Sequence, residues 1–466
     1  MANAVCPSLP GSAIFGSMNP QYLVAERAVP LLQTLIRNAC VNTGADDSGE
    51  EIRSIEYLRD YLASYGIESE ILALRERRPN LIARIPGRDS GTPSLAYMGH
   101  VDVVPADAEK WSRDPFGGEL VDGEVWGRGA VDMLGMVATS AAAMTVLAEG
   151  DPPPGDVMLI VVSDEEAGGT FGAEFLTGTY PEKVACDYMI TEVGGLHLDT
   201  RSGPGITLSV GEKGVCWATL RFPGVPGHGS MPYGADNAAV KAGLAAVRME
   251  GHESAPWLSP IIRDMATAFL PENIDIEHAL TEEGFPAALS RLYERNPGTA
   301  KFLHTAAHTT ISPNVLRSGS KVNIVPDSAE LTLDIRMLPE WSREDIKNLV
   351  KSGLGELGSQ ADIDIFEFFP SNVSDRDTPL MQATERLVTE ILPGTHVVPM
   401  FMGGVTDGRY WRQLGTTVYG FAANDRWLSM DQFSTLIHGI DERISVRCLE
   451  RNLEYLVRLP QELASG

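Results

Sequence analysis

Apolar residues recur at helical spacing over residues 21–43 and 50–65, which predicts that two helices open the patterned part of the chain. Gly66 follows the second pattern, at a position where helix C-termini favour glycine. The sequence IESEILAL, residues 67–74, then predicts a short edge strand. Residues 1–20 carry only weak patterning and are expected to form a loose tail.

Beyond this opening, short apolar runs alternate with helical patterns. The runs within NLIARIPG, LAYMGHVDVV, VMLIVVSDEE and DYMITEVGG predict strands, and helical patterns at 136–148 and near 172–178 lie between them. Strands that are apolar along their whole length are buried on both faces. The fold class is therefore α/β, with a mainly parallel sheet flanked by helices.

The pattern changes near residue 206. The next elements are a strand (206–222), a helix (236–249), an irregular helical insertion (256–303), two strands (321–338), a helix (342–354) and a strand (362–369). Without the insertion, this order is the β-α-β-β-α-β arrangement of ferredoxin-like domains. The first pattern resumes from about residue 377. We therefore predict one domain over 21–206 and 374–466, interrupted by an inserted ferredoxin-like α+β domain over 207–373.

The composition of the chain argues against several classes of function. With 37 basic and 63 acidic residues among 466, the net charge of −26 argues against nucleic acid or an anionic membrane as a partner. No apolar run approaches the roughly 20 residues of a membrane span, and the first positive charge is Arg27, so a cytoplasmic protein is expected. Five scattered cysteines indicate reduced, packed thiols.

Polar side chains cluster where predicted strands end. His100 and Asp102 share one face at the end of LAYMGHVDVV, so the carboxylate can orient a metal-binding imidazole. Asp132 lies in the glycine-rich turn GRGAVDMLGM, directly before a helix. The acidic run SDEE (163–166) and Glu192 follow two further strands. In an open α/β sheet these acids would converge in the crevice beyond the strand ends.

A histidine near the carboxyl terminus, His438 in TLIHGI, could complete the group. Two imidazoles, one bridging carboxylate and two further carboxylates would hold a pair of zinc-like ions, and an adjacent unligated glutamate would deprotonate water. Taken singly, each piece has an ordinary explanation. His100 and Asp102 could form a surface pair, SDEE a solvated loop, Asp132 an N-cap, and His438 a buried histidine. Their joint occurrence at strand ends favours a hydrolytic site.

The motifs MGHVDVVP, GRGAVDM, SDEE and ITEVGG, with the late His438, resemble a family of dizinc exopeptidases and amidohydrolases. That family includes aminoacylase-1, acetylornithine deacetylase, succinyl-diaminopimelate desuccinylase and bacterial glutamate carboxypeptidase. The resemblance spans roughly residues 25–460. It implies a zinc exopeptidase-like catalytic domain and an inserted lid and dimerisation domain.

The resemblance also implies roles for individual residues. It assigns one metal ion to His100, Asp132 and Glu192, and the other to Asp132, Glu166 and His438. Asp102 would orient His100, and Glu165 would be the general base that activates water and then protonates the leaving nitrogen. The cofactor would be two divalent ions, with zinc expected and cobalt or manganese as alternatives.

Residues of the inserted domain extend the resemblance. His228, in PGHGSMP, matches a histidine that enters the partner subunit's active site and stabilises the oxyanion, which implies a homodimer formed through this domain. Read alone, a histidine between glycines is ordinary loop chemistry. Arg336, in LTLDIRMLP, matches an arginine that binds a substrate carboxylate, whereas pairing with Asp334 is the competing explanation. Further matches near the substrate are Asn314, Asn323, and Gly403 and Gly404 of GGVTDGR.

The leading hypothesis is a zinc-dependent hydrolase that cleaves an amide bond beside a free carboxylate, in an N-acyl amino acid or a short peptide. A second hypothesis is an aminopeptidase or dipeptidase that recognises the substrate's free amine. A third is a catalytically silent metal-binding scaffold, which the presence of every ligand and of the base disfavours. The insertion at 256–303 is longer than in compact members of the family and leaves the shape of the lid open.

Overall fold

The computed structural model describes residues 19–45 and 47–465. Most of the tail predicted for residues 1–20, together with Cys6, lies outside the described residues. The chain divides into two compact units. The first unit comprises the chain up to Val210, Ser374–Pro399 and the chain from Thr406 onward, and the second comprises Gly211–Val373 and Met400–Val405.

The helices and strands are numbered in chain order. The strands are β1 Ser69–Arg75, β2 Arg78–Ile85, β3 Leu95–His100, β4 Glu119–Val121, β5 Glu124–Trp126, β6 Val157–Val162, β7 Tyr188–Thr191, β8 His197–Thr200, β9 Gly203–Glu212, β10 Gly214–Pro223, β11 Gly227–His228, β12 Thr310–Ser318, β13 Ile324–Val325, β14 Ser328–Met337, β15 Asp362–Phe369, β16 Asn372–Val373, β17 His396–Met402, β18 Thr417–Gly420 and β19 Arg443–Ser445. The helices are α1 Pro20–Leu23, α2 Val29–Asn38, α3 Ile52–Ala63, α4 Leu134–Glu149, α5 Ala173–Thr179, α6 Pro181–Val184, α7 Ala238–Met249, α8 Pro260–Phe269, α9 Ile276–Ala279, α10 Phe285–Arg295, α11 Pro297–Ala307, α12 Arg343–Leu354, α13 Pro379–Ile391, α14 Gly408–Gln413, α15 Met430–Leu436 and α16 Val446–Leu463.

The first unit is built on a sheet with the strand order β1-β2-β6-β3-β7-β18-β9. Its centre is parallel, because β3 runs parallel to both β6 and β7, and β18 runs parallel to β7. Every residue of β3 and β6 is buried, as expected of strands covered on both faces. The predicted class, a mainly parallel sheet flanked by helices, is confirmed.

The helix α4 explains how this sheet is covered. It is apolar all round, and every residue from Leu134 to Leu147 is buried. It packs against α2, α16 and β3, so it is enclosed by protein on all sides. Since β3, β6 and β7 are parallel, their carboxyl ends at His100, Val162 and Thr191 meet along one edge of the sheet. This edge carries the acidic segments that follow the strands.

The second unit contains an antiparallel sheet in the order β12-β14-β10-β15. Helices α7 and α12 pack on this sheet around a core that includes Leu331, Leu333 and Ile335. The insertion forms α8–α11. The two strands predicted within 321–338 are β13 and β14, but β13 pairs with β11, and the sheet's edge strand β12, at Thr310–Ser318, was not predicted. Along β12 only Ile311 is buried, so this edge strand lacks the apolar alternation that predicts a strand.

The cysteines agree with the prediction of packed thiols. Cys40, Cys216 and Cys448 are buried, Cys186 is half-buried, and all four are free. Within the described residues, every helix is too short or too polar to cross a membrane.

Candidate metal centre

Three of the predicted ligands meet beside the end of β3. Nε2 of His100 lies 3.2 Å from Oδ1 of Asp132 and 3.7 Å from Oε2 of Glu192. His100 is the last residue of β3, and Glu192 follows the last residue of the parallel strand β7. The strand geometry therefore delivers both side chains to one edge, and the turn before α4 supplies Asp132.

A second group of three shares Asp132 with the first. Nε2 of His438 lies 3.2 Å from Oδ2 of Asp132 and 3.2 Å from Oε2 of Glu166. Asp132 thus turns one carboxylate oxygen toward each histidine. Within each group, one ligand atom per residue lies within 4.8 Å of the others. This is the arrangement in which a carboxylate can bridge two ions.

The donor set fits a pair of divalent ions. Two imidazoles and three carboxylates are ligands that zinc and similar ions accept. Oε1 of Glu166 is buried and has no hydrogen-bond partner among the described residues, as expected of an oxygen placed to ligate. Burial, together with the nearby charge of Asp132, raises the pKa of Glu192 to about 8. Bound cations would compensate this concentration of buried negative charge.

Glu165, the predicted base, occupies the same short turn as Glu166. Burial and the charge of Glu192 raise the pKa of Glu165 well above its usual range. The Asp102 carboxylate accepts hydrogen bonds from the backbone N–H groups of Glu165 at 3.2 Å and Glu166 at 3.1 Å. It therefore fixes the turn that presents both glutamates.

The contact between Asp102 and His100 differs in detail from the expectation. Nδ1 of His100 lies 3.0 Å from the main-chain carbonyl of Asp102, and 3.6 Å from its carboxylate. A carbonyl oxygen can only accept, so Nδ1 carries the proton and Nε2 has its lone pair free to ligate. The backbone of Asp102 orients the imidazole, while its carboxylate holds the glutamate turn.

The backbone adopts unusual conformations at the ligand His438 and directly beside Glu165 and Glu192. Asp164, Val193 and His438 adopt left-handed φ values of 72°, 61° and 54°. Asp164 precedes Glu165, and Val193 follows Glu192. Conformations of this kind cost energy and cluster at functional sites, where the surrounding structure enforces them.

A buried polar network beneath the glutamate turn was missed by the sequence analysis. Asp164 is buried and lies 2.9 Å from Arg78, which also pairs with the fully buried Glu51 at 2.6 Å. Asn42 donates to the carboxylates of both Asp102, at 2.9 Å, and Asp164, at 3.1 Å. These groups come from distant parts of the sequence, and no local motif connects them.

A second missed element, the buried pair Arg128 and Glu442, supports the ligands Asp132 and His438. The Glu442 carboxylate accepts from Arg128 at 2.7 Å and from the backbone N–H groups of Gly129, Val131 and Asp132 at 2.8–3.1 Å. Arg128 also donates to the His438 carbonyl at 3.3 Å. The signal was present, because Arg128 lies within the GRG motif and Glu442 lies four residues after His438.

Asp407, in the turn GGVTDGR, is a third missed residue. It is buried, and neither of its carboxylate oxygens has a hydrogen-bond partner among the described residues. Burial raises its pKa to about 7. Its neighbours Arg409 and Tyr410 donate to the carbonyl of Gly168 at 2.8 and 3.0 Å, so this turn also restrains the glutamate loop.

The predicted site residues that have not yet been described all belong to the second unit. His228 is exposed in the short strand β11, and the neighbouring Gly229 N–H donates to the Asn323 carbonyl at 2.8 Å. Asn314 is exposed on β12 and accepts from Ser312 at 2.7 Å.

Arg336 pairs with Asp334 through two hydrogen bonds, of 2.8 and 3.1 Å. This is the contact that the competing explanation predicted. Gly403 approaches Thr305 so closely that a Cβ there would lie 2.7 Å from its methyl group, whereas a Cβ at Gly404 would meet open space.

Comparison with known proteins places this chain in a family. The sequence profile described as peptidase family M20/M25/M40 matches residues 96–462. The N-fatty-acyl-amino acid synthase/hydrolase PM20D1 of Bos taurus is 27% identical over 393 residues, covering 81% of this chain and 75% of that protein. A probable succinyl-diaminopimelate desuccinylase of Staphylococcus epidermidis is 27% identical over 361 residues, covering 77% of this chain and 81% of that protein.

Solved structures share the fold. The M20 family metallo-carboxypeptidase Sso-CP2 of Sulfolobus solfataricus matches with a TM-score of 0.72 at 18% identity, over 94% of this chain and 99% of that one. Human carnosine dipeptidase 1 matches with a TM-score of 0.67 at 17% identity, over 99% and 100%. The resemblance predicted from the motifs is confirmed, and the chain belongs to peptidase family M20/M25/M40, whose enzymes act on amide bonds.

Proposed function

We propose that the protein is a dizinc hydrolase that cleaves an amide bond adjacent to a free carboxylate, in an N-acyl amino acid or a short peptide. The observation that carries this proposal is Asp132, which turns one oxygen toward His100 and the other toward His438. Glu165, next to the ligand Glu166, supplies the base that such a site needs.

Bound ions would polarise the scissile carbonyl and lower the pKa of the attacking water. Glu165 accepts the proton that this water loses as its oxygen attacks the carbonyl carbon, and returns the proton to the nitrogen as the C–N bond breaks. The carboxylate of Asp102 holds the backbone of Glu165 in place during both transfers. The raised pKa of Glu165 suits a group that must take up a proton and then release it.

His228 is proposed to stabilise the oxyanion in the active site of a second subunit. The backbone N–H of Ser230 donates to Nδ1 of His228 at 3.2 Å, so the neutral ring carries its proton on Nε2. Nε2–H is then a donor on an exposed side chain, as this role requires. The tautomer therefore supports the proposal.

A homodimer formed through the second unit is part of the same proposal. On helix α7, Val240, Leu244 and Val247 are 57%, 48% and 71% exposed and lie on one face. The edge strand β12 adds the exposed residues Val315 and Leu316. An apolar helix face together with a free strand edge is the kind of surface that a second subunit covers.

The substrate class rests on the relatives and on the second unit. An N-acyl amino acid, named in the PM20D1 relative, carries its amide beside a carboxylate. Arg336 is proposed to bind this carboxylate, together with the backbone near Asn323, Gly403 and Gly404. The open space beside Gly404 supports close approach of a ligand to the main chain there.

One observation favours a second candidate, a peptidase that recognises the substrate's amine. Both hydrogen bonds between Arg336 and Asp334 would have to yield before this guanidinium could bind a substrate carboxylate in the same geometry. In an amine-recognising enzyme the pair could remain intact.

A substrate panel separates the two candidates. The zinc-loaded protein is incubated with N-acyl amino acids and dipeptides, each with a free or an amidated carboxyl terminus, and the released amine is quantified by mass spectrometry. We expect cleavage confined to substrates with a free carboxylate, and turnover lowered by about 10²–10⁴-fold in the Glu165→Gln variant. Equal cleavage of amidated substrates would contradict carboxylate recognition, and wild-type turnover by Glu165→Gln would contradict the mechanism.

A further inference from the structure

The second unit contains a separate cluster of metal-binding side chains, formed by Glu253, His304 and His308. Nε2 of His304 lies 2.9 Å from Oε2 and 3.1 Å from Oε1 of Glu253, and Nε2 of His308 lies 3.9 Å from Oε1. One ligand atom from each residue lies within 4.8 Å of the others. The cluster shares no residue with the dinuclear centre.

The two imidazoles are four residues apart at the end of α11, so they lie on one side of that helix. Their rings stack with centroids 4.5 Å apart. Nδ1 of His308 lies 2.9 Å from the carbonyl of His304. Because the carbonyl can only accept, Nδ1 of His308 is protonated and its Nε2 lone pair is free toward Glu253.

The backbone at Glu253 is held by the segment that directly follows His308. Its backbone forms a β-bridge with Thr310. The next residue, Ser254, donates its N–H to the Thr309 carbonyl at 3.1 Å and accepts from the Thr309 N–H at 2.9 Å. The carboxylate and the two imidazoles are therefore positioned by backbone contacts before any ion binds.

From this geometry we infer that Glu253, His304 and His308 bind a third divalent ion, of the zinc type. Two imidazoles and one carboxylate match the His₂Glu ligand set that holds zinc in proteins and leaves one position for water. Two nitrogen donors disfavour calcium and magnesium, which prefer all-oxygen sites.

The ion would fix one end of α11. Between the two histidines, Thr305 lies beside Gly403 of the predicted substrate loop, where an added Cβ would come within 2.7 Å of the Thr305 methyl group. The buried Lys213 donates to the carbonyls of His308 at 2.6 Å and Thr305 at 3.0 Å, and so satisfies the end of the same helix. A metal at this point is thus a structural support for the surface against which Gly403 packs.

The test counts ions on the full chain. Protein stripped by a chelator is reloaded with zinc, freed of excess metal, and analysed by inductively coupled plasma mass spectrometry. We expect three zinc ions per chain in the wild type and two in Glu253→Gln and in His304→Ala. In competition with a chromogenic chelator, Glu253→Gln should lower the affinity for the third ion by at least about tenfold. Both positions are partly exposed, and Gln retains the shape of Glu.

Three further variants serve as controls. His278→Ala removes an exposed histidine elsewhere in the insertion and should retain three ions. Asp132→Ala removes the shared ligand of the dinuclear centre and should still bind the third ion. The double variant Asp132→Ala/His304→Ala should lose that ion as well. Two ions in the wild type, or three in both Glu253→Gln and His304→Ala, would overturn the inference: a proton between Glu253 and His304 would then account for their contact.

Discussion

The buried pair of Arg128 and Glu442 should control both stability and metal binding. Glu442 is fully buried, and its two oxygens accept four hydrogen bonds, two on each oxygen. In Glu442→Gln, one oxygen becomes an amide NH₂, which faces two donors that it cannot accept from. The substitution preserves volume, so the loss comes from hydrogen bonding and charge rather than from packing.

The magnitude follows from the two hydrogen bonds that the lost oxygen accepted. Hydrogen bonds to a charged group contribute about 1.5–3 kcal/mol each, so the free energy of unfolding should fall by about 3–6 kcal/mol. If the amide replaces Oε1, the backbone N–H groups of Val131 and Asp132 lose their acceptor. If it replaces Oε2, the donors affected are Gly129 and Arg128, which also holds the His438 carbonyl. In either orientation one metal ligand loses support, and zinc affinity should therefore fall by about 10–100-fold.

Urea unfolding of the metal-free proteins measures the first effect, and competition with a chromogenic zinc chelator measures the second. The matched control is Glu119→Gln, which removes a charge from an exposed pair with Arg113. An exposed pair contributes about 0–1 kcal/mol, and this variant should bind zinc normally. A loss below about 1 kcal/mol in Glu442→Gln, with unchanged zinc affinity, would refute the role assigned to the pair.

Four further outcomes are expected. Glu165→Gln should lower kcat by about 10²–10⁴-fold at unchanged zinc content, and loss of zinc in parallel with activity would show instead that Glu165 is a ligand. Mixing unfolded Glu165→Ala and His228→Ala chains and refolding them together should restore about a quarter of the wild-type activity, because half of the dimers are mixed and each mixed dimer has one intact site; no recovery would contradict a shared active site. Arg336→Met should raise KM for free-carboxylate substrates by at least about tenfold and leave cleavage of amidated ones unchanged, and an equal effect on both would exclude carboxylate binding. Burial raises the pKa of Cys40 and of Cys216 to about 11, so both thiols should resist alkylation at pH 8 in the folded protein and react after unfolding, as peptide mapping would show; rapid alkylation of either in the folded state would contradict its burial.

The predictable parts of the fold are those with a strong local pattern. Strands β3 and β6 are apolar along their whole length, and α4 is apolar all round, so their type follows from burial on every side. The edge strand β12 was missed because its side chains are mostly exposed and its sequence contains Pro313. The order of apolar residues therefore gives little indication of an exposed edge strand.

The candidate ligands could be predicted from the sequence for a similar reason. His100 and Glu192 lie at or directly after the ends of parallel strands, where a sheet brings distant segments together. The groups that hold the ligands in place could not be predicted in this way. Asn42 and Glu442 act through hydrogen bonds across long sequence separations, and a lone asparagine carries no pattern.

The most direct test of the account is the anomalous diffraction of a zinc-loaded crystal at the zinc absorption edge. Two peaks are expected about 3.5–4 Å apart on either side of Asp132, one beside His100 and Glu192 and the other beside Glu166 and His438. A single ion at this centre, or two ions that do not share Asp132, would contradict it.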